Sequence, residues 1–258
     1  MKKKLKNILK FLPWVAGTSA GAVQAEEEDL WQSVYDARAS YYEELIGQLP
    51  EDILTMGNMS GVWPGGGLFV IPADNLGEGL WVYTTFGLTN ADMPATTTMV
   101  DYAIETDEQG RPSRYSGTLQ SKDPAPTPPG SAGYGYEMLL IAREDTYWPI
   151  GFLQWTVNAE ITHDAGLLER VENYNGLTVE SIQVDDQDWI NVLIAKAQAP
   201  LPTGSSLPNG SMDLLIATVI TEEEMRWSLE HGREALLQKL IDAGVGQVSD
   251  RNRASVVE

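Results

Sequence analysis

Hydrophobic positions change period several times along the chain, and each change marks an element. Leu30, Trp31, Val34, Tyr35, Tyr41, Tyr42, Leu45 and Ile46 recur at helical spacing, and Gly47 is a natural stop. Gly61–Gly67 (GVWPGGG) is a turn that opens the short apolar run Leu68–Ile71. Leu80–Phe86 (LWVYTTF) is rich in aromatic and β-branched residues and reads as a strand, as do Thr97–Ile104 and Tyr134–Ala142. Between the last two, Pro124–Gly133 (PAPTPPGSAG) holds four prolines and two glycines, which makes it a surface loop.

The second half repeats the alternation. Trp148-Pro149 opens a helix to about Thr162, with proline in the first turn where its missing N–H matters least. A shorter helix spans Ala165–Tyr174 and stops at Asn175-Gly176. Strands follow at Leu177–Ile182, Ile190–Lys196 and Asp213–Val219, with Pro200–Gly210 as the loop before the last. Thr221 and Glu224 have capping-box spacing, and three acids in that turn suit the helix dipole. The pattern predicts one long C-terminal helix to Ala243, in which Gly232 implies close backbone packing. Strands and helices mixed at irregular intervals predict an α+β domain with a substantial sheet.

The 258 residues are enough to bury a core without a staple, and there is no cysteine to form a disulfide or a thiolate zinc site. Charge changes the picture more. Against 37 acids stand 17 bases, a net of −20, and five lysines fall in the first ten residues, before any acid. A field of that sign repels phosphate backbones, so the folded part is expected to take a protein partner, cationic in character, and not nucleic acid. Met1–Lys10 is a basic n-region, Phe11–Ala22 is mildly apolar, and Val23-Gln24-Ala25 offers small residues at a cleavage site. Residues 1–25 are therefore read as a signal peptide, with export to the periplasm or beyond and cytoplasmic residence as the alternative. No later stretch is apolar and long enough to span a bilayer, so no stable membrane insertion is expected after leader cleavage.

Candidate chemistry is sparse. His163-Asp164 follows a helix and could form a general base with its orienter, though a helix-end histidine beside a capping aspartate is the plainer reading. His231 sits inside the C-terminal helix as a packing residue, and neither histidine belongs to an HExxH motif. Asp185-Asp186-Gln187-Asp188 lacks the glycine and terminal glutamate of a calcium loop and reads as a solvated turn. No cofactor is called for.

Several spaced segments together carry a resemblance. FGLTNADMP (Phe86–Pro94), GYGYEMLL (Gly133–Leu140), WPIGFLQWTVNAEITHDAGLLERV (Trp148–Val171), LPNGSMDLLIATVITEEEM (Leu207–Met225) and EALLQKLIDAGVGQVSDRNRASVV (Glu234–Val257) resemble the bacterial branch of the suppressor of fused-like (SUFU) family. The resemblance runs from about Leu49 to Val257. It implies an α+β domain at 49–258 with a mixed sheet packed by helices; the N-terminal helix read from periodicity stands before it, at 26–48. It also implies binding rather than catalysis: animal members hold an extended peptide in a cleft between two lobes. This chain corresponds to the N-terminal lobe alone, and Tyr83 matches a position near that cleft.

The resemblance further implies an immunity protein that neutralises a polymorphic toxin, which strong acidity suits through steering of a basic partner. The expected role is a non-enzymatic domain that masks a partner protein or extended peptide. Its surface is expected at the edge and face around Trp81, Tyr83, Phe86, Thr89 and Asn90, with Tyr134, Tyr136, Glu137 and the proline-rich loop beside them. Strand addition is the physical mode expected there. The alternative is a small-molecule or carbohydrate-acting hydrolase using His163 and a nearby carboxylate.

Overall fold

The structure is a computed structural model and describes residues 20–49, 67–106, 112–143, 146–185 and 188–257. Most of the leader, Trp63 with nearly all of the GVWPGGG turn, and Asp186-Gln187 of the acidic turn lie outside the described residues. In chain order the first half comprises α1 (Ala20–Ile46), β1 (Leu68–Pro72), β2 (Trp81–Thr85), β3 (Thr97–Thr106), β4 (Pro112–Ser121) and β5 (Ser131–Ala142). The second half comprises α2 (Trp148–His163), α3 (Leu167–Tyr174), β6 (Leu177–Asp185), β7 (Asp188–Lys196), β8 (Gly204–Leu207), β9 (Gly210–Ile220), α4 (Glu222–His231), α5 (Arg233–Asp242) and β10 (Val248–Ser249).

The main sheet runs in the order β1-β2-β5-β9-β7-β6, with β8 added to β9 and β10 to the end of β5. It is mixed: β5 pairs parallel with β9 and with β10, and the other neighbours are antiparallel. β3 and β4 form a separate hairpin. Every residue of β5 from Ala132 to Ala142 is buried, the signature of a central strand covered on both faces. One face carries Tyr83, Tyr136, Met138, Leu140, Val192 and Ile194 against Phe152, Leu153 and Val157 of α2 and Leu168 and Val171 of α3. The other carries Phe69, Val82, Leu139, Ile141 and Ile216 under Tyr42 and Ile46 of α1. Further along that second face, Leu193 and Ala195 pack under Met225 of α4 and Leu236 and Leu240 of α5. The result is an α+β layer structure: helices, sheet, helices.

Two expectations are corrected. The C-terminal helix is not one long rod: Gly232 takes φ +92° and ψ 155° and ends α4, with its N–H donated to Ser228 O, before α5 begins. Open space surrounds Gly232, so its role is a backbone break only glycine tolerates, not close packing. The Pro200–Gly210 segment is not all loop, because Gly204–Leu207 turns back as β8 on β9. The hairpin strand β4 was not anticipated at all, since PSRYSGTLQS is too polar to show a period.

The capping box is present: the Thr221 hydroxyl accepts from Glu224 N–H, and the Glu224 carboxylate accepts from Thr221 N–H. That carboxylate also accepts from Arg253 Nη1 and Nη2, at 2.5 and 2.6 Å, and from the Val256 N–H. Burial pushes the Glu224 carboxyl up, but the hydrogen bonds from Arg253, Thr221 and Val256 outweigh it and hold the group below its ordinary value of 4.5. A carboxyl depressed in the folded state stabilises above its unfolded pKa and loses that contribution as pH falls through the folded value. Urea unfolding followed from pH 7 to well below 4.5 is therefore expected to show a stability loss, setting in as pH falls below 4.5, that Glu224→Gln makes shallower. Parallel acid profiles for the two proteins would refute the assignment.

Candidate functional site

Alternation along β5 turns Tyr136 and Met138 towards α2 and leaves Glu137 on the opposite face, in register with Leu214 of β9 and beneath α1. A fully buried carboxylate is costly unless donors surround it. Glu137 Oε1 accepts from the Gly87 and Thr89 N–H groups, both at 3.0 Å, and from the Thr89 hydroxyl at 2.7 Å. Oε2 accepts from the Thr85 hydroxyl at 2.6 Å. The FGLTN segment thus wraps its backbone around one side chain. It can approach β5 so closely because residue 133 is glycine at φ +52°, where a Cβ would stand 2.3 Å from Leu88 O.

Into this socket α1 lowers Arg38. Its buried row is Val34, Arg38, Tyr42 and Ile46, one residue every four, so one stripe of the helix faces the sheet. Arg38 Nη1 donates to Thr89 Oγ1 at 2.8 Å and to Glu137 Oε1 at 3.3 Å, while Nη2 donates to Asn90 Oδ1 at 2.7 Å. The guanidinium lies 4.2 Å from the centre of the Phe86 ring, a cation–π contact, and Phe69 meets that ring edge-on at 4.4 Å. Tyr42 pairs its hydroxyl with Thr84 Oγ1 at 2.8 Å. Burial raises the Tyr42 hydroxyl well above its ordinary pKa, and the charge of Glu137 adds to it. Burial lowers Arg38 from its ordinary value, opposed chiefly by Glu137.

The eight residues expected to form one partner surface divide between the two faces of the sheet. Phe86, Thr89, Asn90 and Glu137 gather under α1 and are buried. Tyr83, Tyr134 and Tyr136 are buried with the α2–α3 cluster, and Trp81 is half-buried against it. The Tyr136 hydroxyl donates to the buried Glu160 at 2.8 Å, and burial followed by the Glu160 charge raises its pKa well above ordinary. Tyr134, whose hydroxyl accepts from Ala95 N–H, is pushed up to about 12, chiefly by burial. The Tyr83 hydroxyl accepts from Thr146 N–H. β2 is not an edge either, being paired to β1 on one side and β5 on the other, so no strand can be added there. With α1 seated, the seven buried residues present no outer surface.

Arg38, Thr84 and Thr85 were missed. A signal existed for the first: Arg38 is the one basic residue between Asp29 and Ile46, and it falls in register with the apolar row. The threonines gave none, because a strand threonine that solvates a buried acid looks like any other.

His163 is exposed at the end of α2, and the carboxylate of Asp164 meets the ammonium of Lys122 instead. A cleft of about 720 Å³ does not include His163; Arg143, Trp189, Asn191, Asp250 and Arg251 are among its walls. Its three guanidinium groups are already paired, Arg143 with Asp250, Arg251 with Asp188 and Arg253 with Glu224. A second cleft of about 280 Å³ lies where Pro126–Pro128 of the proline-rich loop meets Tyr134 and Glu160. Among the described residues no group of three or more His, Cys, Asp or Glu side chains could hold a metal ion.

The sequence profile described as suppressor of fused protein (SUFU) matches residues 47–254. A crystal structure of a suppressor of fused homolog from Neisseria gonorrhoeae FA 1090 superposes with a TM-score of 0.51 at 19% identity, over 90% of this chain and 98% of that one. Drosophila Suppressor of Fused gives a TM-score of 0.47 at 14% identity, over 87% of this chain and 50% of that one. The Sufu–Fu complex gives 0.47 at 15% identity, over 88% of this chain and 92% of the matched chain. A search of curated proteins finds no match.

The socket geometry generates a graded prediction. Arg38→Lys keeps the charge but cannot reach Thr89 and Asn90 with one fork, and is expected to lose about 1–3 kcal/mol of stability. Arg38→Ala empties the socket beside Glu137 and is expected to lose about 3–5 kcal/mol. Urea denaturation of the three chains at neutral pH checks the order, and equal midpoints would show that the fork is idle.

Proposed function

The chain belongs to the suppressor of fused protein family, and from that premise we propose that it is a non-enzymatic protein-binding domain that masks a surface of its partner. The observation that carries this reading is the Glu137 socket. It holds a cationic side chain, presented by a helix, with hydrogen bonds of fixed direction and an aromatic floor. Such an arrangement discriminates arginine by shape as well as by charge, which is the work of a recognition site. Around it the net charge of −20 steers cationic proteins inward and turns phosphate backbones away.

The partner class that best matches this field is a basic toxin, neutralised by having its working surface covered. Export through the basic leader makes that target a periplasmic toxin or an envelope protein. Cleavage after Ala25 leaves the whole docking row, Val34 to Ile46, on the mature chain.

Affinity purification of a C-terminally tagged copy from its native host, with mass spectrometry, tests the reading. One basic protein at near-equal abundance is the expected result, and the same sample gives the mature N-terminus. Preparations without any stoichiometric protein, across growth conditions, would overturn the masking role.

A further inference from the structure

The contact between α1 and the sheet is made by side chains. Among the described residues no backbone hydrogen bond joins α1 to a strand, and its polar links are Arg38 to the socket, Tyr42 to Thr84, and Tyr41 to Pro202 O. Twenty-one residues, 47–67, separate the end of α1 from the start of β1. The profile match begins at residue 47, just past α1.

The floor beneath keeps its own hydrogen-bond donors without the helix, while Glu137 loses its counter-charge. Remove Arg38, and Glu137 keeps its four other donors, two backbone N–H groups and two threonine hydroxyls, all from β2 and the FGLTN segment. What then lacks a partner is the cationic fork itself. The exposed floor would be a groove with an aromatic base of Phe69 and Phe86, apolar walls from Leu139 and Ile216, and a preorganised carboxylate at its centre. A groove of that form selects a helix with an arginine flanked four residues away on each side by apolar or aromatic side chains.

Resting on the binding reading above, we propose that the face beneath α1 is the partner-docking groove, and that it takes an arginine-bearing amphipathic helix from a cationic protein. In the free chain α1 occupies this groove in cis as a stand-in for that helix. The partner competes with α1, and its arginine takes over the bonds of Arg38 to Thr89, Asn90 and Glu137.

The probe is a fluorescent peptide of residues 29–47, tested by anisotropy against the full chain. Binding is expected to strengthen at least about tenfold when the full chain carries Arg38→Ala, because the cis competitor is weakened. An Arg38→Ala version of the peptide is expected to bind at least about tenfold more weakly than the natural one. Native-state hydrogen exchange on the unaltered chain guards against a variant that merely unfolds: amides of α1 are expected to open while those of β5 and β9 stay protected. Exchange of α1 only together with β5 would overturn the proposal, as would peptide binding indifferent to the arginine.

A dimer that the peptide dissociates would assign the groove to α1 of a second copy and overturn the choice of a foreign partner. The two readings fail separately. A stoichiometric partner captured equally by the natural chain and by a folded Arg38→Ala chain would leave masking intact and remove this groove. Peptide exchange as expected with no partner captured would keep the groove and remove masking.

Discussion

A carboxylate set in the middle of a hydrophobic sheet must be solvated by protein, and much of the molecule on the α1 side follows from how Glu137 meets that demand. Leaving an isolated ion of this kind in an apolar interior costs on the order of tens of kcal/mol. Thr85 at the end of β2, the tight FGLTN turn with its inward N–H groups, and the glycine that lets the turn approach β5 all supply or position donors. The same oxygens then fix where α1 lies, because Arg38 can meet Thr89, Asn90 and Glu137 together only from one azimuth of the helix. The aromatic packing of Phe69, Phe86 and Tyr42 fills the space that this registration leaves.

Two further buried glutamates solve the same problem elsewhere. Glu160 on α2 accepts the Tyr136 hydroxyl and the N–H groups of Gly166 and Leu167, which joins the sheet, α2 and the start of α3. Glu224 caps α4 and gathers Arg253 and Val256 from the C-terminal tail. Each of the three ties together segments far apart in sequence, where a pair of apolar residues would allow sliding. Directional bonds to a buried charge select one geometry, and a protein that recognises a partner needs its surface held that firmly. The cation of the Glu137 cluster comes from α1, which among the described residues no backbone hydrogen bond joins to a strand.

Periodicity located α1, the central strands, α2, α3 and the cap of α4 because each buries a stripe or a face, and burial leaves a repeat in the sequence. β4 and β8 escaped because a polar hairpin and a four-residue edge strand bury too little to leave one. The break between α4 and α5 was legible as a glycine but not as a break, since the same residue is used for close packing and for a positive φ. For the candidate site, the motifs of Phe86–Asn90 and Tyr134–Glu137 suggested an exposed surface, whereas the structure buries all but Trp81 of the residues singled out there. A cluster of aromatics and polar residues reads alike whether it faces a partner or the chain's own helix.

The sequence by itself determined the α+β class, the acidic field and the cap at Thr221, because local propensity, spacing and charge do not depend on what lies opposite; the family came from the likeness of several spaced motifs. Tertiary structure alone decided that both faces of β5 are covered, so that Glu137 is buried as fully as Tyr136, and that Arg38 is the cation Glu137 meets across ninety-nine positions of sequence. That pairing rests on strand order and on the azimuth of α1, which are set by how whole layers pack and leave no trace in any short stretch of residues.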